Sequence, residues 1–299
     1  MVFFRNVCYN RCNYIFPMYT GSINCEVNEM IPYDAHTHSN FSYDADPAAT
    51  LDAVCESAIA KGITHLALTD HYDINAVLDG IYTYNISAAK AAVEDAKEKY
   101  GNLLTLSWGI ELGSATQYPK AADTFLKKHK FETVVGSTHY MTGCDDFAYW
   151  DMKSITPEDF SEAWLLYLAE LTRMCELGHS DILAHITYPV RYYIRAGHQF
   201  DLSFCKDELA NLLTTAIDHG MLLEVNTSGY RQGMGGPLPE ASVISLYKDL
   251  GGRLISIGSD AHHPNDIAAN YKEAEDLLRS LDMTKIAFIQ NHSILTYTI

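Results

Sequence analysis

The sequence lacks the cysteine patterns that staple a small fold or cage a structural zinc. Its seven cysteines stand at 8, 12, 25, 55, 144, 175 and 205 without a Cys-x-x-Cys pair. An odd, scattered set argues against a disulfide framework and fits a reducing compartment, so a cytoplasmic location is expected. No run approaches the roughly 18 apolar residues that span a bilayer, so no membrane partner is expected. Basic residues are scarce: 21 Lys and Arg face 38 Asp and Glu, a formal net charge of −17. Without a basic cluster, that balance repels a phosphate backbone, and nucleic acid is excluded as a first reading. A small anionic substrate stays compatible, because divalent cations bound in an acidic pocket reverse its sign locally. No GxGxxG or Walker pattern offers a backbone cradle for nucleotide phosphates.

What the chain does have is alternation. From Ile31 onward short apolar, β-branched runs alternate with longer amphipathic ones, the pattern of parallel strands joined by crossover helices. Seven strands are predicted: 31–35, 64–69, 103–111, 133–138, 181–186, 222–227 and 253–259. Asp46-Pro47 and Thr156-Pro157-Glu158-Asp159 each place an N-cap acceptor before a first-turn proline, which predicts two helix starts. The second helix is predicted to run to about Leu177, burying Phe160, Trp164, Tyr167, Leu168 and Leu171. No linker divides the chain, so 30–299 is expected to be one domain. The glycines of Tyr230 to Pro237 suit a loop over the strand ends. Residues 1–29 carry three cysteines and no structural period, and their apolar clusters are too broken for a signal peptide. They are either a segment upstream of the true start or an extension packed outside the barrel.

Six histidines, two aspartates and one glutamate fall at or just beyond the ends of predicted strands: His36, His38, Asp44, His71, Glu111, His139, His185, Asp260 and His262. That is where a parallel αβ barrel assembles its chemistry. Successive side chains of a strand alternate faces, so His36 and His38 share one and can chelate. A carboxylate closing an apolar strand, as Glu111 does, is costly unless it meets a cation. Asp44 alone reads as a turn carboxylate, and a single His-x-His is weak. The recurrence at equivalent ends is what carries weight, whereas His65, His129, His179, His198, His219, His263 and His292 fit no such pattern. Nine histidine and carboxylate donors exceed the needs of one ion and suit two or three divalent metals, with zinc, manganese and iron as the candidates. Such sites activate water and polarise a phosphoryl or carbonyl group. Arg191 and Arg231 follow ligand-bearing strand ends, and their planar forks match phosphate oxygens. A small phosphorylated substrate is therefore expected, with Asp260 or a metal-held water as candidate proton donor to the leaving group.

The string Asp34-x-His36-x-His38-Ser-x-Phe-Ser-x-Asp44, with Thr-Asp-His71, Gly-x-Glu111, Ser-x-His139, Ala-His185 and Ser-Asp260-Ala-His262, resembles the PHP (polymerase and histidinol phosphatase) superfamily over residues 33 to 263. The resemblance implies an α/β fold, a distorted TIM-like (β/α)7 barrel with a trinuclear site. It implies that His36, His38, Glu111 and Asp260 hold one ion, that Glu111 bridges to a second held by His139 and His185, and that Asp44, His71 and His262 hold a third. The segments around Arg191 and Arg231 look like the histidinol-phosphatase branch, which hydrolyses L-histidinol phosphate in histidine biosynthesis. That branch often reads His-Ile-Asp where this chain has His185-Ile186-Thr187. The alternatives are another phosphoesterase on the same scaffold, acting on phosphotyrosine or a nucleotide, and a non-catalytic metal-binding domain. Metal identity and oligomeric state are left open by the sequence.

Overall fold

The computed structural model describes residues 31–290 and 293–299; the 1–29 segment and His292 lie outside the described residues. Ten strands appear in chain order: β1 (Tyr33–Thr37), β2 (His65–Leu68), β3 (His71–Asp73), β4 (Thr105–Gly113), β5 (Thr133–Ser137), β6 (Ile182–Leu183), β7 (Leu222–Asn226), β8 (Ile255–Gly258), β9 (Lys285–Gln290) and β10 (Ser293–Thr298). The hydrogen-bonded path runs β1-β2-β4-β5-β6-β7-β8-β9-β10, with β3 beside β4. Among these described strands, only β9 and β10 pair with each other antiparallel. Asp260 N donates to His36 O at 2.8 Å and His38 N to Ala261 O at 2.9 Å. Those two bonds tie the end of β8 to the end of β1 and close β1, β2 and β4 to β8 into a seven-strand ring, the distorted barrel that the resemblance implies.

The seven ring strands match the seven predicted runs, with shifted edges. β1 begins two residues later than expected and includes His36. It carries one extra residue between Asp34 and Thr37 relative to Leu66 and Leu68 of β2. Such a bulge re-aims the side chains beyond it. The run expected to end at Thr69 resumes as β3, and both pieces pair with the long β4, whose register continues two residues past Glu111. The helix expected at Asp46-Pro47 does not start there. Asp46 instead closes a turn, its Oδ1 accepting from Ala48 N at 2.8 Å. The helix begins at Leu51, capped by Thr50, whose Oγ1 accepts from Ala53 N. Tyr230 and Arg231, expected in a loop, close a one-turn helix (Ser228–Arg231) before the glycines begin. The β9–β10 hairpin was not predicted, since Asn291-His292 is no strong turn signal.

The helix Pro157–Leu177 follows its sequence signals closely. Thr156 Oγ1 accepts from Asp159 N at 3.1 Å, and Gly178 ends the helix in the left-handed region at φ 64°. Its predicted stripe is fully buried beside the neighbouring helix Lys206–Asp218, with Phe160 stacked on Tyr193 and Tyr167 edge-on to Phe147. Each such large apolar side chain contributes roughly 1.5–3 kcal/mol on burial. Inside the ring lies a separate, small apolar layer of Ala35, Val135, Ile182, Ala184, Leu222 and Ala287. Above that layer, toward the carboxyl ends of the strands, the interior turns polar.

Candidate metal centre

All nine predicted donors converge on this polar upper interior. Glu111 is its hub: Oε2 lies 2.9 Å from His71 Nδ1, 3.2 Å from His36 Nε2 and 3.5 Å from His38 Nε2. Its Oε1 lies 3.0 Å from His185 Nε2 and 3.2 Å from His139 Nε2. Asp260 Oδ1 stands 3.3 Å from His38 Nε2 and 3.5 Å from His262 Nδ1. Asp44 completes a corner, with Oδ2 3.5 Å from His71 Nε2 and 3.3 Å from His262 Nε2. His71 and His262 are themselves 3.3 Å apart through their Nε2 atoms. The loop that brings Asp44 there is pinned by Asp70, which accepts from Ser39 N at 2.7 Å and from Ser42 Oγ at 3.1 Å. Asp260 is held at φ 52°, a left-handed conformation that costs energy in a non-glycine residue and persists only where surroundings enforce it.

The second ring nitrogen of four histidines is fixed from behind. His36 Nδ1 meets Glu224 Oε1 at 2.6 Å, His139 Nδ1 meets Asp73 Oδ1 at 3.0 Å, His38 Nδ1 meets Ser42 Oγ at 3.0 Å, and His262 Nδ1 meets Asp260 O at 3.0 Å. Such partners fix the tautomer and aim the other nitrogen. Glu224 and Asp73 were not singled out from the sequence, although Glu224 was open to the reasoning applied to Glu111: a carboxylate inside an apolar strand needs a partner. Asp73 carried no such signal, because its strand was not foreseen.

Whether the pocket suits divalent cations is tested by what its atoms lack. His36 Nε2, His38 Nε2, His71 Nδ1 and Glu111 Oε2 are buried and have no hydrogen-bond partner among the described residues, although they face one another within ion-pair distance. Buried polar atoms are rarely left so. Ligand atoms of His36, His38 and Asp260, of His36, Glu111 and His185, of His38, His71 and His262, and of His71, Asp73 and His139 each lie within 4.8 Å of one another. These groupings fit two or three divalent ions, with nitrogen and oxygen donors of the kind zinc, manganese and iron accept.

The electrostatics agree with that reading. Burial opposes charge on His36, but Glu224, Glu111 and Asp260 outweigh it and raise its pKa well above the usual imidazole value. Burial likewise opposes charge on His71 and His139, and Glu111 with Asp44, and Asp73 with Glu111, overcome it. Burial would raise Glu111, yet His71, His36 and His139 hold it well below the carboxylate range. His38 goes the other way: burial, then repulsion from His262 and His71, pushes it down to about 3. A field of carboxylates that attracts protons to these nitrogens attracts divalent cations for the same reason.

Both arginines border this pocket. Arg191 is buried; its guanidinium packs over Tyr188 at 4.3 Å and Tyr192 at 4.7 Å, and it donates to Gln232 Oε1 at 2.6 Å and Tyr192 Oη at 2.7 Å. Arg231 donates to Ser259 O at 2.8 Å, directly beside Asp260. One N–H position of each, Arg191 Nε and an Arg231 terminal nitrogen, is buried and unpartnered among the described residues.

The PHP domain model matches residues 34–228 of the chain. This protein is a member of the PHP domain family. A Thermotoga maritima protein named probable histidinol-phosphatase is 27% identical over 256 residues, covering 85% of this chain and 94% of that one. A Clostridium acetobutylicum protein of the same name is 24% identical over 258 residues, covering 86% and 96%. The crystal structure of histidinol phosphate phosphatase from Lactococcus lactis, complexed with zinc, L-histidinol and phosphate, superposes on this PHP domain with a TM-score of 0.71. It does so at 18% identity, over 88% of this chain and 98% of that one. The superposition speaks to the shared fold.

Proposed function

We propose that this PHP domain hydrolyses a small phosphate monoester, L-histidinol phosphate, to L-histidinol and phosphate, as a step of histidine biosynthesis. The observation that carries the reading is the pairing of a nine-donor metal pocket with two arginines at its edge, each keeping an unpartnered buried N–H. Histidinol-phosphatase names among relatives that match most of the chain support the choice of ester. Residues 30–299 are taken as one catalytic unit, because β1 to β8 form one ring and β9 and β10 extend the same sheet. No helix among the described residues is long and apolar enough to cross a membrane, and a cytoplasmic location is part of the proposal.

His36, His38, Glu111 and Asp260 would hold one ion, Glu111, His139 and His185 a second, and Asp44, His71 and His262 a third. Divalent ions bound there supply an activated water at neutral pH and neutralise charge on the phosphoryl group. Arg191 and Arg231 bind the non-bridging oxygens, and their forks stabilise the negative charge that accumulates at phosphorus. Tyr188 and Tyr192 stack on Arg191 and Gln232 ties its other side, so the fork is oriented before substrate arrives. Burial would raise Asp260, but His36, His38 and His262 hold it well below the carboxylate range. In that form it can ligate a divalent ion, and the departing alkoxide needs a proton, for which Asp260 and water are the two candidate donors.

The test is phosphate release from L-histidinol phosphate by metal-analysed protein, run beside p-nitrophenyl phosphate, phosphotyrosine and AMP. A preference for L-histidinol phosphate that chelation abolishes and zinc restores is the expected result. Chelator-sensitive activity confined to another ester would overturn the substrate, and no activity on any ester would overturn the enzyme reading.

A further inference from the structure

Six of the seven ring strands, or the segments directly after them, His71 of β3 included, deliver donors to the pocket; β7 delivers none. Its inward face nevertheless climbs straight into the pocket, from Leu222 in the apolar layer through Glu224 to Asn226, all three buried. Glu224 Oε1 meets His36 Nδ1 at 2.6 Å, while Oε2 accepts from His185 N at 2.8 Å and from Asn226 Nδ2 at 3.1 Å. Asn226 Nδ2 also donates to Asp260 Oδ2 at 3.2 Å, and its Oδ1 accepts from Ser228 N at 3.0 Å, which fixes the amide orientation. Two side chains of one strand thus brace donors at three others, on β1 and just beyond the ends of β6 and β8.

We infer that β7 is the alignment strand of the metal centre, with Glu224 and Asn226 as positioning residues that aim His36, His185 and Asp260. His36 needs such aiming because its Nε2 belongs to two of the possible donor groupings, 3.2 Å from Glu111 Oε2 and 3.8 Å from Asp260 Oδ1. A carboxylate that accepts the Nδ1 proton leaves the Nε2 lone pair facing the pocket, which is the form that binds metal, and makes that nitrogen a stronger donor. The space for Glu224 is itself provided for. A Cβ at Gly258 on β8 would come 2.6 Å from Glu224 Oε1 and 2.5 Å from His36 Cβ, so glycine lets the pair sit together.

The chemistry predicts that the near-isosteric Glu224→Gln fails. Glu224 receives three donors, His36 Nδ1–H on one oxygen and His185 N–H with Asn226 Nδ2–H on the other, and an amide offers only one oxygen. Its NH2 group would confront the second donor, or would drive His36 to the tautomer with its proton on Nε2, which cannot ligate.

The inference rests on the metal-ligand reading of the pocket, and its test does not depend on the substrate. Zinc stoichiometry and affinity would be measured by chelator competition on Glu224→Gln, Asn226→Ala and His36→Ala, with the thermal midpoint of each metal-free protein as a folding control. Glu224→Gln is expected to weaken one zinc about 10- to 100-fold, with Asn226→Ala weakening it less and both metal-free proteins folded. Should Glu224→Gln fail to fold, the weakened zinc of Asn226→Ala carries the test. If His36→Ala loses zinc while both β7 variants bind it as tightly as the parent, the alignment role is wrong and the ligand reading stands. If His36→Ala keeps its full zinc, both are wrong.

Discussion

The two ends of the same ring are built on opposite principles. At the carboxyl ends of the strands, buried histidines and carboxylates crowd within about ion-pair distance, several of their atoms unpartnered. At the amino ends, Tyr33 of β1 stacks on Phe288 of β9 with ring centroids 3.6 Å apart, and Tyr297 of β10 meets Tyr33 edge-on at 5.7 Å. Below the pocket, the apolar layer around Val135, Ile182 and Leu222 separates one end from the other. The contrast teaches where stability and chemistry reside. The closed, aromatic end anchors β9 and β10 on β1, while the open end, where backbone bonds join the end of β8 to the end of β1, keeps charged groups in a geometry that cations satisfy.

The sharpest test of that division is at the closed end. Phe288→Ala removes a buried ring from the stack and should cost about 3–5 kcal/mol, read by denaturant unfolding, with zinc stoichiometry in the surviving folded protein unchanged. A loss of zinc at native conditions would mean that the two ends are coupled. At the open end, Glu111→Gln takes a charge from the group that touches five histidines. Activity should fall by roughly 100-fold or more, with zinc lost in metal analysis. Unchanged zinc and rate would remove Glu111 from the centre.

Gly258→Ala probes the boundary between the two layers. Its methyl group would push against His36 and Glu224, and such crowding costs about 1–3 kcal/mol. The expected signature is weaker zinc binding together with a lower thermal midpoint, whereas a fall in the midpoint alone would confine Gly258 to packing. The smallest effect concerns thiols. Burial pushes Cys55 and Cys175 up to about 12, and both lie within helices, while Cys144 is exposed on the loop after β5. Because the thiolate is the reactive form, alkylation at pH 8 followed by peptide mapping should modify Cys144 and spare Cys55 and Cys175. Labelling of Cys175 in native protein would show that the helix layer opens.

Much of the fold was legible because parallel strands buried on both faces must be apolar, and crossover helices must carry start signals. The segment after Thr156 shows this best, since its cap and stripe act as they read and it ends at Leu177 as expected. Asp46-Pro47 shows the limit. The same two residues that start a helix also close a turn, and contacts with the loop at Asp260 to His262, including Asp46 N donating to His262 O at 2.9 Å, select the turn. β9 and β10 escaped because a short apolar run such as Lys285 to Gln290 reads equally as strand or as buried helix, and its pairing with β8 and β10 decides.

The residue types and order of the metal centre belong to the sequence itself. Donors at the ends of apolar runs are costly unless paired, so their placement is visible without coordinates. Which donor faces which was decided by the tertiary structure. The extra residue in β1, the left-handed turn at Asp260 and the register of β7 between β6 and β8 set the distances within the pocket. They also reveal Glu224 and Asp73 behind the histidines. Those relations join residues as far apart as His36 and Glu224, and such proximity follows from closing the ring, which no local pattern along the chain records.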